Sequence, residues 1–209
     1  MSQPPEKPQQ SRKAAQILDA ARAVFLDQGF GAASMDAIAR TAGVSKATLY
    51  SHFAGKEALF AQVVAGEWAS HWRDSPEPRL RDGDLATALT AFGHGFMELL
   101  LHPVALAIYR ITMGEARRFP ELGRLFFESG PATVRERLTA FLAEREARGE
   151  VAIADRRLAA EQFLGLLQTP LYLRSLLDIR DGIGPEDVDR IVAAAVDVFV
   201  RAYGTGKGI

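Results

Sequence analysis

Between Ser34 and Lys56 this 209-residue chain gathers side chains suited to gripping an anion. Lys46 follows Ser45, the expected cap of a helix. Its charge therefore falls in the first helical turn, where the backbone dipole is positive and an exposed cation costs about 0.3–1 kcal/mol. Lys56 is placed in the same way at the start of the next helix. A phosphate nearby reverses that sign, because free backbone N–H groups and the cation then act together on the anion. Tyr50 and His52 lie between the two lysines, and Ser34 and Thr48 add hydroxyls. This chemistry is recognition of a polyanion rather than bond-making. No GxSxG nucleophile elbow and no paired acid–base arrangement stands out, no cysteine is present, and no cofactor is expected.

Two other clusters have the right residue types for a site. His94, Glu98 and His102 recur at four-residue steps and so share one helix face. The two histidines are two turns apart, about 12 Å along the axis, too far to reach one ion easily. No metal is expected, and a His94–Glu98 hydrogen bond or a polar patch is the preferred reading. The C-terminal Gly204-Thr-Gly-Lys-Gly208 has the look of a phosphate loop. It lacks the preceding strand, the full spacing and the following helix, and reads as a flexible tail.

Composition narrows the class. The chain is 48% hydrophobic and 24% charged, with 25 Lys+Arg against 26 Asp+Glu, a net of −1, so it is no polycation. Residues 1–57 hold seven Lys/Arg against five Asp/Glu, a local net of +2 that leaves −3 for the remainder. The asymmetry has the sign a phosphate-binding N-terminal region needs, but it is small. With zero cysteines a disulfide framework or thiolate metal site is excluded. The opening MSQPPEKPQQSRKA lacks the apolar core of a signal peptide. The greasiest stretch, Phe92 to Tyr109, is interrupted by His94, Glu98, His102 and Pro103 and cannot serve as a spanning helix. A soluble, cytoplasmic protein with no membrane partner is the expectation.

The elements that must position these groups read as helices. Ala14, Ile17, Leu18, Ala21, Val24 and Phe25 recur at three- and four-residue steps, and Gly29 ends that helix. Ser34 caps a short helix carrying Met35, Ile38, Ala39 and Ala42. Gly43 breaks it, Ser45 caps the next to about Phe53, and a longer helix runs from Lys56 toward Trp72. A Pro- and Gly-bearing loop at 74–84 marks a boundary. Beyond it the spacing predicts helices over roughly 85–101, 103–118, 120–148 (bent near Gly130-Pro131), 155–179 and 185–203. No segment alternates with period two, so the fold class is all-α. The predicted division is an arm at 1–10, a helix-turn-helix domain at 11–57, a linking helix and loop at 58–83, and a helical domain at 84–209.

Residues 34–53 have helix-turn-helix spacing, a helix of about eight residues followed by a turn of about four. Such corners occur in DNA-binding proteins and in unrelated all-α folds alike, and geometry alone leaves both open. Three stretches go further. They are Ile17-Leu-Asp-Ala-Ala-Arg-x-Val-Phe25 through Gly29-Phe30, Ser34-Met-Asp-x-Ile-Ala39, and Ala42-Gly-Val-Ser-Lys-Ala-Thr-Leu-Tyr-Ser-His-Phe-Ala-Gly-Lys-Glu-Ala-Leu59. Together they closely resemble the TetR family of one-component transcriptional regulators, over about residues 12–64. The resemblance implies a three-helix DNA-binding domain used as a homodimer on double-stranded operator DNA. It implies that Lys46, Ala47, Thr48 and Tyr50 face the major groove and its phosphate edge, that Ser34, His52 and Lys56 grip the backbone, and that Ser45 belongs to the same DNA-binding set. Arg12 and Lys13 would add phosphate or minor-groove contacts. On that assignment Lys56→Ala weakens specific and random binding alike and lowers the salt slope by about one. Ala47 stands where the family often has glycine; its methyl favours the helix and suits contact with a thymine methyl.

Past residue 84 the resemblance is one of layout, and it implies a ligand-binding and dimerisation domain. Gly93 and Gly95 inside one helix either admit a neighbouring helix closely or leave space for a ligand. Phe92, Phe96, Tyr109, Met113, Phe126, Phe127, Phe163, Gln168 and Tyr172 are the candidate pocket residues, with Pro170 kinking the wall. Leu158, Leu166, Leu173, Ile191, Ala195 and Phe199 lie on two wide apolar stripes. Those stripes bury against the chain's own core or pair with a symmetry mate as a four-helix bundle, and the resemblance favours the mate. The expected function is a repressor released from its operator by a small, largely apolar ligand. The alternatives are a regulator with no such ligand and a small-molecule-binding helical enzyme.

Overall fold

The computed structural model describes residues 8–73, 83–179 and 184–206. Among them the fold is all-α, with no strand and a single isolated backbone bridge, Val151 to Gly204. In chain order the helices are α1 (Pro8–Ala32), α2 (Met35–Thr41), α3 (Lys46–His52), α4 (Lys56–Arg73), α5 (Leu85–Leu101), α6 (Pro103–Glu115), α7 (Pro120–Ser129), α8 (Pro131–Ala147), α9 (Arg156–Leu167), α10 (Pro170–Leu176) and α11 (Pro185–Tyr203). They form two compact units. Met1–Glu67 and Ala107–Ser129 make one, Trp68–Leu106 and Gly130–Ile209 the other. The division cuts across the sequence segments 58–83 and 84–209, because residues 107–129 pack with the N-terminal helices.

In the first unit α1 buries Ile17, Ala21, Val24 and Phe25, the stripe its periodicity calls for. The helix kinks at Gly29 (φ 75°, ψ 173°), in a region of backbone space essentially reserved for glycine, and one more turn runs to Ala32. Phe30 stacks on Phe25, and Phe60 and Phe119 meet them edge-on, at centroid separations of 5.4–5.8 Å. Each such pair contributes about 0.5–1.5 kcal/mol beyond its buried area. This cluster, with Ile38 and Leu49 from the two short helices, forms the core of the unit.

In the second unit α5 and α11 pack face to face. A methyl group at Gly93 would stand 2.9 Å from Val192 Cγ1, so this glycine serves close helix approach rather than a cavity. Phe163 packs on Phe92 (6.3 Å) and edge-on to Phe199 (5.3 Å). Arg145, 1% exposed, donates to the Gly83 carbonyl (2.7 Å) and the Glu150 carboxylate (2.9 Å), joining the end of α8 to the start of α5. Asp84 caps α5 by accepting from the Thr87 N–H at 2.7 Å, and that bond holds its carboxyl below the usual range.

Several sequence expectations change. The segments 120–148 and 155–179 are each two helices. Pro131 and Pro170 open new helices at their first position, where a missing N–H costs nothing, so Pro170 does not sit inside one. Residues 8–10 of the expected arm belong to α1, while residues 1–7, the loop at 74–82 and tail residues 207–208 lie outside the described residues. The start of the tail is pinned. Ala152 N–H donates to Tyr203 O, Thr205 N–H to Glu150 O, and the Thr205 hydroxyl to Gly149 O. His94 Nε2 lies 3.7 Å from Asp189 Oδ1 on α11, and Glu98 is exposed, so the expected His94–Glu98 pair gives way to a contact between helices. No cluster of three or more metal-ligating side chains occurs among the described residues.

Candidate nucleic-acid interface

The corner between α2 and α3 is built by side-chain caps at its starts and a glycine turn between. The Ser34 hydroxyl accepts from Ala37 N–H at 3.1 Å, and the Ser45 hydroxyl accepts from Thr48 N–H at 3.1 Å. Gly43 takes φ 63° and closes α2, its N–H donating to Arg40 O (3.1 Å) while Val44 N–H donates to Ala39 O (3.1 Å). That pair of bonds is the Schellman arrangement, and it satisfies two carbonyls a helix end otherwise leaves bare. Gln16 on α1 donates to Ala42 O at 2.7 Å and ties the turn to the longer helix. Ile38, Ala39, Ala42 and Leu49 point into the core, which rotates the other side of α3 to solvent.

That outward side presents Ser45, Lys46, Ala47, Tyr50 and Ser51, with Thr48 and His52 half-buried beside them. Tyr50 is 53% exposed, a large exposure for an aromatic ring that gains nothing from water. Ser45 and Thr48 hydroxyls lie 2.9 Å apart, and the Ser51 hydroxyl donates back to Thr48 O. Lys46 is not a bare cation: its Nζ lies 2.6 Å from Asp36 Oδ2 on α2, both partners being exposed. The pair braces α2 against α3 and presents the lysine at the rim of the exposed face. Ser34 is exposed at the start of α2, and Arg12 and Lys13 are exposed on α1.

Lys56 departs from the expected set. Its Nζ donates to Phe30 O (2.7 Å), Ala33 O (3.1 Å) and Gly31 O (3.5 Å), and sits 4.4 Å from the centre of the Phe30 ring. An ammonium has three N–H bonds, and here three carbonyls at the end of α1 take them. Lys56 thus closes a helix end rather than facing outward with Lys46. Glu115 was not anticipated from the sequence either. It accepts from the Phe30 and Gly31 N–H groups, 85 and 84 residues away, a separation at which no local pattern signals a partner.

The candidate pocket residues divide between the units. Phe92, Phe96 and Phe163 are buried in the core of the second unit, where Tyr172 is half-buried and Gln168 is exposed at the α9–α10 break. In the first unit Tyr109 packs edge-on to buried Phe126 (5.7 Å), and Met113 and Phe127 are exposed. Of the candidate dimer residues, Leu158, Leu166 and Leu173 are exposed and Ile191 is half-buried. Ala195 and Phe199 are not available to a partner. They are buried in their own chain, Phe199 at 1% exposure, because that stripe of α11 is the one facing the chain's core.

A capped, glycine-turned helix pair with one polar and aromatic face outward is a helix-turn-helix of the kind DNA-binding regulators carry. Residues 17–63 match the family model "Bacterial regulatory proteins, tetR family", and residues 87–205 match "AefR-like transcriptional repressor, C-terminal domain". The chain belongs to the TetR family of DNA-binding transcriptional regulators. It is similar to the flavonoid-responsive regulator FrrA, with 41% identity, 94% of this chain and 99% of that one covered, and a TM-score of 0.80. It is also similar to a TetR-family regulator from Mesorhizobium loti MAFF303099, with 26% identity, coverage of 95% and 100%, and a TM-score of 0.81. Escherichia coli (strain K12) UidR is 48% identical over 48 residues, 23% of this chain, and the match spans only 24% of UidR's own length. No single helix among the described residues is long and apolar enough to cross a membrane.

Proposed function

We propose that the protein is a homodimeric, cytoplasmic repressor that leaves its operator when a small, largely apolar ligand binds. The observation that carries the reading is the exposed side of α3. Ser45, Lys46, Ala47 and Tyr50, with half-buried Thr48 beside them, offer hydroxyls, a cation and a methyl around the start of α3, the groups that reach base edges and phosphates in a major groove. Ser34 and His52 flank that face and position it on the backbone. The C-terminal match to a repressor domain supports repression. The likeness to a flavonoid-responsive regulator along almost the whole chain supports a flat, aromatic, sparingly polar ligand. Exposed Leu158, Leu166 and Leu173 on α9 and α10 supply an apolar face for a second copy, so that two recognition helices meet half-sites about 34–36 Å apart.

The test is selection of a duplex from random sequence on the full-length protein, followed by titration of that duplex with flavone or quercetin. Retention of a two-fold-symmetric duplex and its release by either compound supports the reading. Binding that no such compound weakens leaves DNA recognition standing and rejects the ligand class. Failure to retain any duplex at low salt rejects the whole.

A further inference from the structure

The turn that leads from α1 into α2 is held from two sides by opposite charges. On one side the Phe30 N–H donates to Glu115 Oε1 at 2.8 Å and the Gly31 N–H to Glu115 Oε2 at 2.6 Å. On the other, Lys56 Nζ takes the carbonyls of Phe30 and Ala33. One carboxylate therefore spends both oxygens on consecutive backbone donors, and charge-assisted bonds of this kind are about twice as strong as neutral ones. The chain makes room for it. A Cβ at Gly29 would stand 2.7 Å from Glu115 Oε1, and one at Gly31 would stand 2.6 Å from Glu115 Oε2. Phe119, just past Glu115, lays its ring edge-on to Phe30 at 5.4 Å and closes the cradle.

The position of this clamp matters. Ser34, the cap of α2, follows Ala33 directly, and Lys56 is the first residue of α4. The turn thus fixes the point from which α2 and α3 leave α1. Glu115 is the last residue of α6, the helix that also carries Tyr109 and Met113. We infer that Glu115 is a positioning residue for operator recognition: its two-oxygen grip on the Gly29–Ala33 turn sets the direction of α2 and α3 and makes it depend on where the end of α6 stands. The inference rests on the dimeric operator recognition proposed above. Glu115 itself touches no group on the exposed face of α3.

The experiment compares full-length Glu115→Gln, Glu115→Ala, Gly31→Ala and the Glu115→Ala/Gly31→Ala double variant with the parent. Gly31→Ala keeps both charges and displaces the carboxylate from the opposite side, so it carries the test if Glu115→Ala fails to fold. Three quantities are read: amide hydrogen exchange, affinity for a duplex selected on the parent protein, and affinity for a scrambled duplex. We expect exchange at Phe30 and Gly31 to quicken by at least about tenfold while Ile17 and Phe25 keep their protection. Affinity for the selected duplex should fall by about tenfold, within the usual span of coupling between sites. Affinity for the scrambled duplex should stay within about twofold, since the phosphate-facing cations are untouched. The double variant should be no worse than either single one, because both remove the same contact. Unchanged exchange, parallel weakening on both duplexes, or additive effects would overturn the inference. If the parent retains no duplex, the dimeric reading falls and the positioning role with it, while the exchange arm still reports whether the clamp exists.

Discussion

Lys56→Ala separates two roles that a lysine at a helix start can have. In the structure its ammonium makes two good hydrogen bonds, to Phe30 O at 2.7 Å and Ala33 O at 3.1 Å, and lies 4.4 Å from the Phe30 ring centre. Hydrogen bonds to a charged group are each worth about 1.5–3 kcal/mol net, and a cation over a ring adds roughly 0.5–1. Lys56 is only half-buried, so the lower ends of those ranges apply and the substitution should cost about 2–4 kcal/mol. For a chain of this size that is a fall in Tm of roughly 5–15 °C. The same variant should leave the slope of log K against log salt unchanged, because the ammonium is directed at the carbonyls of Phe30, Gly31 and Ala33 rather than outward with Lys46. Lys46→Ala is the control. Its exposed ammonium should account for about 0.9 of the slope per protomer, with a small change in Tm. The assays are thermal unfolding of the free protein and fluorescence polarisation on one duplex across a salt series. A Lys56→Ala protein that melts like the parent but loses about 0.9 of slope per protomer would refute the argument and restore the backbone-gripping role that the sequence pattern suggests.

Three further outcomes follow. Asp84 has a folded-state pKa below its ordinary value because it accepts from Thr87, so its contribution is present above the unfolded value and lost as pH falls through the folded one. Asp84→Ala should therefore cost about 0.5–2 kcal/mol at pH 7 in thermal unfolding, with the difference from the parent shrinking below about pH 4. Gly130→Ala would set a methyl 2.5 Å from the Trp68 indole, and overpacking against a rigid ring should cost about 1–3 kcal/mol and shift the tryptophan emission. Leu173→Arg, at a side chain 57% exposed in the single chain, should convert the proposed dimer to monomer in sedimentation with a small change in protomer helicity; a dimer that persists would place the interface elsewhere.

The helices were legible where chain chemistry is local. Ser34 and Ser45 cap the helices that follow them, and α5 and α11 begin and end where periodicity and proline set them. Pro131 and Pro170 were harder, because the apolar rhythm runs through both breaks and hides that each proline begins a new helix. The polar and aromatic groups of α3 were legible as residue types, and buried Leu49 is what turns them outward. What the spacing could not give was the choice of partner. Lys46 finds Asp36 across the turn, Lys56 finds the end of α1, and His94 finds α11 instead of its own helix neighbour. The α11 stripe shows the same limit. A periodic face states that Ala195 and Phe199 are buried, but whether by their own chain or by another copy is decided by what packs there.

The short helices explain why so many long-range ties meet at the corner. α2 and α3 have seven residues each, about two turns, and isolated helices below about 12–15 residues are marginal in water. Neither can hold its own direction, so the orientation of the recognition face must be imposed from outside. Gln16 fixes the end of α2, Lys56 and Glu115 fix the turn before its start, and the buried Ile38 and Leu49 fix the rotation of the pair. Of these, only the Glu115 tie comes from a distant part of the chain. The positioning role inferred for Glu115 therefore concentrates a long-range constraint in one side chain, strong enough to set direction and small enough to remove by a single substitution.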